Sequence, residues 1–255
     1  MTGAPDSKLA SLWRPAPNRE ARVGGRAPDM LILHYTGMET CDAALDWLTC
    51  EESKVSCHYL VDEEGRITQM VAEAERAWHA GQSFWAGETD LNSCSIGIEI
   101  HNPGYDFDYQ DFTEAQMQAV EALCVDILSR HAIPPDRVLA HSDIAPGRKR
   151  DPGEKFDWAR LARSGIGLWV EPLPPSAELG LGVGDESEEV ARLQEALAAY
   201  GYGVEPTGTF GRGLEQVVQA FQLHFHKTRI DGRADASTRA TLDRLLAARR
   251  GTLVA

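Results

Sequence analysis

An α/β domain with a central mixed β-sheet flanked by helices, followed by a small three-helix bundle, is the architecture this sequence predicts. Three observations carry that expectation. Short β-branched runs alternate with helical patterns up to about residue 170. The stretch 171–184 then breaks regular structure with Pro172, Pro174, Pro175, Gly180, Gly182 and Gly184, which is the composition of a linker. Beyond it, apolar residues recur only at helical spacing. The expected division is therefore a first domain over 1–170, a linker over 171–184 and a three-helix domain over 185–250.

In chain order, residues 30–35, 58–61, 67–71, 95–101 and 138–141 read as strands. Along 95–101, Ile96, Ile98 and Ile100 fall on one face while Gly97 and Glu99 fall on the other, because side chains alternate across a strand. The longest helix signal opens with Thr113 and Gln116 at capping-box spacing and continues through Met117, Val120, Leu123, Cys124, Ile127 and Leu128 on one face. Pro134 and Pro135 close it. Shorter helices are expected over 43–48 and 158–161. In the tail, Val190, Leu193, Leu197 and Tyr200 mark one helix, Val217, Ala220 and Phe221 a second, and Ala240, Leu242, Leu245 and Leu246 a third. Glycines at 201, 203, 208, 211 and 232 punctuate them.

With 255 residues, the chain has room for two cores. Its formal charge of −14 argues against a nucleic-acid partner, since that binding is driven by cations on phosphates. The acidity is uneven: 9 basic residues face 10 acidic ones from Leu179 onward, leaving 16 against 29 before it. No apolar run approaches the roughly 18 residues of a membrane span. The five cysteines (Cys41, Cys50, Cys57, Cys94, Cys124) include no C-x-x-C pair, which speaks against a disulfide framework or a thiolate zinc finger.

Candidate chemistry lies at strand ends. His34 closes an apolar strand, His141 closes another, and Asp151 follows ten residues later. Two imidazoles and one carboxylate form a three-ligand set that leaves a fourth zinc position open to water, as in catalytic sites. Taken singly, a strand-end histidine is more often a hydrogen-bonded structural residue, and Glu99 alone is more often a salt-bridged or solvated group. No H-E-x-x-H helix is present, which excludes the common metalloprotease motif.

Read together, Ile32-Leu33-His34-Tyr35-Thr36, Val55-Ser56-Cys57-His58-Tyr59, Ala77-Trp78-His79-Ala80-Gly81, Asn92 with Ser95-Ile96-Gly97-Ile98-Glu99, Asn102-Pro103-Gly104 and His141 through Gly153 resemble the type 2 zinc-dependent N-acetylmuramoyl-L-alanine amidases. These are relatives of T-odd phage lysozyme and of peptidoglycan recognition proteins. The resemblance implies one zinc ion on His34, His141 and Asp151, with Glu99 as general acid/base and Lys149 steadying the oxyanion. It further implies a substrate groove lined by Tyr35, Trp78, His79, Asn92, Arg148 and Arg150. The implied substrate is peptidoglycan or a muropeptide, cut between the lactyl group and L-alanine. Binding-only recognition proteins replace a zinc ligand, whereas here all three are present; a zinc hydrolase of another amide is the third reading.

The tail resembles the three-helix peptidoglycan-binding domain of wall hydrolases through Gly184, Leu193-Gln194, Gly201-Tyr202, Phe210-Gly211, Phe221-Gln222 and Asp231-Gly232. His224 and His226, two apart on a helix, face different directions and are not a metal pair. Residues 1–12 lack the features of a secretory signal, which gives the cytoplasm as the expected compartment, while a wall-binding module gives the periplasm or outer membrane as the alternative.

Overall fold

The structure is a computed structural model that describes residues 4–252, so residues 1–3, part of the segment read above for a signal, lie outside the described residues. Eight strands and seven helices follow in chain order: β1 Ala10–Trp13, β2 Arg19–Ala21, β3 Met30–Tyr35, α1 Cys41–Leu48, β4 Tyr59–Val61, β5 Ile67–Gln69, β6 Glu75–Ala77, β7 Ser95–Ile100, α2 Glu114–Arg130, β8 Val138–Ala140, α3 His141–Ile144, α4 Trp158–Arg163, α5 Glu188–Tyr200, α6 Arg212–Phe225 and α7 Ala236–Thr252. Six strands form one mixed sheet in the order β1-β5-β4-β7-β3-β8, with β4 and β5 antiparallel and the other pairs parallel. A two-stranded ribbon of β2 and β6 stands apart.

The unbroken apolar run Met30-Leu31-Ile32-Leu33 suits a central strand covered on both faces, and all four residues are buried. Alternation sorts them. Leu31 and Leu33 join Ile96, Ile98 and Ile100 of β7 against Val120, Leu123, Cys124 and Ile127 of α2. Met30 and Ile32 face the opposite way, into a core completed by Val190, Leu197, Tyr200, Phe221 and Phe225 of the C-terminal helices. His34 continues the Met30–Ile32 side and Glu99 the Gly97 side at partner positions of parallel β3 and β7. The C-terminal bundle and the candidate site thus share one face of the sheet.

Local chemistry sets the element ends. Thr113 accepts the Gln116 N–H while Gln116 accepts the Thr113 N–H, the reciprocal pair of a capping box. The short strands β1, β2 and β6 carry no clear alternation, and β2 is fully exposed, so the apolar pattern did not announce them. His141 does not end a strand as expected. β8 stops at Ala140, whose N–H donates to Asp143 Oδ2 at 2.8 Å, and this turns the chain into α3 with His141 as its first residue.

The Pro/Gly stretch is no loose tether. The Leu173 carbonyl accepts from His226 Nε2, the Glu171 carbonyl accepts from Arg244, and Leu181 bridges to Ala234. Trp85, buried, meets the rings of Tyr200 and Tyr202 edge-on at centroid distances of 5.7 and 4.9 Å. Asp143, fully buried, accepts from Tyr202 Oη at 2.6 Å and from His224 Nδ1 at 2.7 Å, and the His224 ring stacks on Trp158 at 3.8 Å.

Because one apolar core spans both halves, thermal unfolding is expected to be a single cooperative transition. Trp85→Ala, which removes a buried aromatic between them, should lower the stability of the whole chain by about 3–5 kcal/mol. Calorimetry checks both points; two separate transitions would show that the halves are energetically independent.

Candidate metal centre and active site

The site forms where β3, β7 and β8 end, the usual place for ligands in parallel sheets. His34 is the fifth residue of β3, Glu99 the fifth of β7, and His141 opens α3 directly after β8. Asp151 comes from the following loop. Its backbone carbonyl accepts the Ser142 N–H at 3.0 Å, and the Arg148 and Lys149 N–H groups both donate to the Ala145 carbonyl, so the loop folds back over α3.

Three donor atoms converge. His34 Nδ1 and His141 Nδ1 stand 2.9 Å apart, and Asp151 Oδ2 lies 3.2 Å from the first and 2.9 Å from the second. The hydrogen-bond frame behind them fixes the tautomers. Ser95 Oγ gives its only proton to the Leu91 carbonyl at 2.6 Å, so at 3.1 Å from it His79 Nε2 must be the donor. His79 Nδ1 is then bare and accepts from His34 Nε2 at 2.9 Å. That leaves the His34 lone pair on Nδ1. His141 Nε2 faces the Ala80 carbonyl at 3.2 Å, which can only accept and is nearer than the Arg148 guanidinium at 3.4 Å, and this puts the His141 lone pair on Nδ1 as well. Two bare nitrogens and a carboxylate oxygen aimed at one point are the donor set of a cation, and His34, His141 and Asp151 can hold a metal ion.

The charge states agree. Burial and the neighbouring His141 push His34 down to about 4, so it is neutral at pH 7. Burial, then His34, also lowers His79 well below its ordinary range. For Asp151, burial works upward, but the pull of His141 and His34 overrides it and holds the carboxyl well below the usual carboxylate range. Glu99 moves the other way: burial first and Asp151 second raise it well above the usual range, with Lys149 pulling back. Its Oε2 is buried without a hydrogen-bond partner, which marks an oxygen kept for something other than the fold.

A cleft of about 510 Å³ opens over these groups and is lined by Tyr35, Trp78, His79, Glu99, His141, Arg148, Lys149, Arg150 and Asp151. Tyr35 packs against Tyr105 and Tyr109, and the Arg150 guanidinium lies 3.6 Å above the Tyr105 ring. Of the expected groove residues, one stands outside the cleft and one lines it while also bracing the neighbouring loop. Asn92 does not line the cleft; its Oδ1 accepts the His79 and Ala80 N–H groups and braces that loop. Arg148 spends donors on the Ala80 and Gln82 carbonyls, holding the same loop against the site. His79 lies behind His34 as its hydrogen-bond support, a role the sequence did not reveal. Gly97 makes room for it, since a Cβ there would lie 2.6 Å from His79 Nδ1. Trp47 and Tyr105 also line the cleft, and only their aromatic character hinted at it.

Known proteins resemble this chain in both sequence and fold. Residues 24–154 match the family model described as N-acetylmuramoyl-L-alanine amidase, and residues 186–242 match one described as a peptidoglycan binding domain. The N-acetylmuramoyl-L-alanine amidase AmiD of Escherichia coli K12 is 41% identical over 89% of this chain and 86% of its own length. A solved complex of E. coli AmiD with the substrate anhydro-N-acetylmuramic acid-L-Ala-D-γ-Glu-L-Lys superposes with a TM-score of 0.75 at 40% identity, covering 90% of this chain and 92% of that one. AmpDh3 from Pseudomonas aeruginosa in complex with anhydromuramic pentapeptide gives a TM-score of 0.75 at 34% identity, over 88% of this chain and 93% of that one.

Replacing His34, His141 or Asp151 by Ala should take bound divalent metal from about one per chain to near zero. Gly97→Ala, whose Cβ would press on His79, the support of His34, and on the Cys57 Sγ beside it, should weaken metal affinity by roughly 10- to 100-fold. Plasma mass spectrometry after dialysis against graded metal buffers measures both. Stoichiometric metal in any ligand variant would place the centre elsewhere.

Proposed function

The chain belongs to the N-acetylmuramoyl-L-alanine amidase family, and from that premise we propose that it uses one zinc ion on His34, His141 and Asp151 to release stem peptides from muramyl substrates, anhydromuropeptides among them. One observation supports this most strongly: a converging two-imidazole, one-carboxylate donor set shares its cleft with a buried carboxyl oxygen, Glu99 Oε2, that has no partner. A recognition protein needs neither. Two imidazoles with one carboxylate suit zinc, and a site with three protein ligands leaves a position for chemistry.

Zinc held there supplies Lewis-acid polarisation of the scissile carbonyl and lowers the pKa of water. The chain's own groups do the rest. Glu99, whose carboxyl burial pushes above its ordinary range, takes a proton from the attacking water and returns it to the departing amine of L-alanine. The Lys149 ammonium, in the same cleft, stabilises negative charge as it develops on the carbonyl oxygen. Tyr35 and Trp78 offer aromatic faces for the sugar, while Arg150, held over Tyr105, offers a cation to substrate carboxylates. His79 acts through His34 by fixing its tautomer.

The compartment follows from the substrate. Released anhydromuropeptides would assign the chain to cell-wall recycling, and intact sacculi would assign it to the wall itself; among the described residues no helix is long and apolar enough to cross a membrane.

With zinc and with a chelator, mass spectrometry of products from purified anhydromuropeptides and from sacculi tests the reading. Free stem peptide should appear only with zinc. Glu99→Gln and Lys149→Ala should each lower turnover by about 10²-fold or more while keeping the metal; full turnover in either would remove its assigned role.

A further inference from the structure

A second cavity, of about 330 Å³, lies beside the catalytic cleft and shares two of its walls. Lys149 and Arg150 line both. The other walls of the second cavity come from the C-terminal half: Gln216, Gln219, Ala220 and Leu223 of α6, and Ile230 just after it. The seam is tight, because a Cβ on Gly147 would lie 2.3 Å from Gln216 Cδ. It is also fixed in place. Asp143, two residues beyond His141, is held by His224 of the same helix α6 and by Tyr202, with no water access. A buried carboxylate with three donors is costly to disturb, so α6 cannot swing away from the loop that carries Lys149.

The chemistry of this groove is one-sided. It presents two cations and two amides above an aliphatic floor of Ala220, Leu223 and Ile230, and contains no carboxylate. Among the described residues, Lys149, Gln216 and Gln219 form no side-chain hydrogen bond or ion pair. The catalytic cleft itself carries Trp47, Trp78, Leu48 and Val55, an aromatic and aliphatic surface. Aromatic faces suit a sugar, and cations and amides over an aliphatic floor suit the carboxylates and aliphatic side chains of a peptide.

We propose that the groove between the 147–150 loop and α6 is a subsite for the carboxylate-bearing peptide half of the substrate, completed by Gln216 and Gln219 of the C-terminal domain. This rests on the amidase reading and deepens it: the C-terminal domain is a wall of the active site as well as an appended module. Hydrogen bonds to a charged partner are stronger than neutral ones, so altering one wall should be visible in peptide affinity.

Charge variants at position 219 test the proposal by calorimetry, with the full zinc-loaded chain and the free tripeptide L-Ala-D-γ-Glu-L-Lys as probe, beside the same tripeptide with its carboxyls amidated. Gln219→Glu should weaken the free tripeptide about tenfold or more, Gln219→Lys should tighten it, and the amidated peptide should respond to neither. Melting temperature and zinc content confirm that both variants fold. If both charges shift affinity in the same direction, if amidated and free peptide respond alike, or if the wild-type chain does not bind the tripeptide, the subsite is wrong. Failure of the amidase reading shows separately, as absence of peptide release from muropeptides.

Discussion

Two imidazole nitrogens 2.9 Å apart, each carrying a lone pair and no proton, repel one another unless a cation lies between them. That constraint organises the site. It holds because the N–H of each of three rings is committed: His34 Nε2 to His79, His79 Nε2 to Ser95, and His141 Nε2 to the Ala80 carbonyl. The Ser95 hydroxyl closes the line at the Leu91 carbonyl. Gly97 leaves the space that His79 fills, and Asn92 pins the loop that carries His79 and Ala80. A ligand set of this kind is only as good as the frame that orients it, and here the frame reaches from β7 to the 79–80 loop.

The second constraint comes from the sheet. Alternation puts Met30, Ile32 and His34 on one side of β3, so the core under the C-terminal bundle and the metal centre lie on the same face. The bundle therefore has two tasks. Its apolar side completes a core, and through Tyr202 and His224 it holds Asp143 in the helix that begins with His141. A chain divided at its Pro/Gly stretch would lose both, since that stretch is itself tied down by Ser237, His226 and Arg244.

Much of this was legible in the sequence. The run at 30–35 and the alternation at 95–100 announce two strands and the face of the second on which Glu99 stands. The Thr113–Gln116 pair fixes the start of α2. The donor triad could be named because family motifs cover it, although spacing alone left His34 and Glu99 ambiguous. What stayed hidden depends on contacts between segments distant in sequence. His79 supports His34 across 45 residues, and Asp143 is held by His224 across 81, distances over which no local pattern operates. Asn92 and Arg148, named as substrate contacts, brace the 79–82 loop, because backbone groups nearer to them take their donors and acceptors. The linker composition left open whether that stretch is stiff or loose, and its hydrogen bonds tie it down.

Anomalous diffraction at the zinc edge from crystals of the zinc-loaded chain tests the central claim most directly. A single peak bonded to His34 Nδ1, His141 Nδ1 and an Asp151 oxygen, with His79 outside the coordination sphere, is the expected result. A zinc ion bound through His79, or through Nε2 of either ligand histidine, would contradict the tautomer frame and the catalytic site built on it.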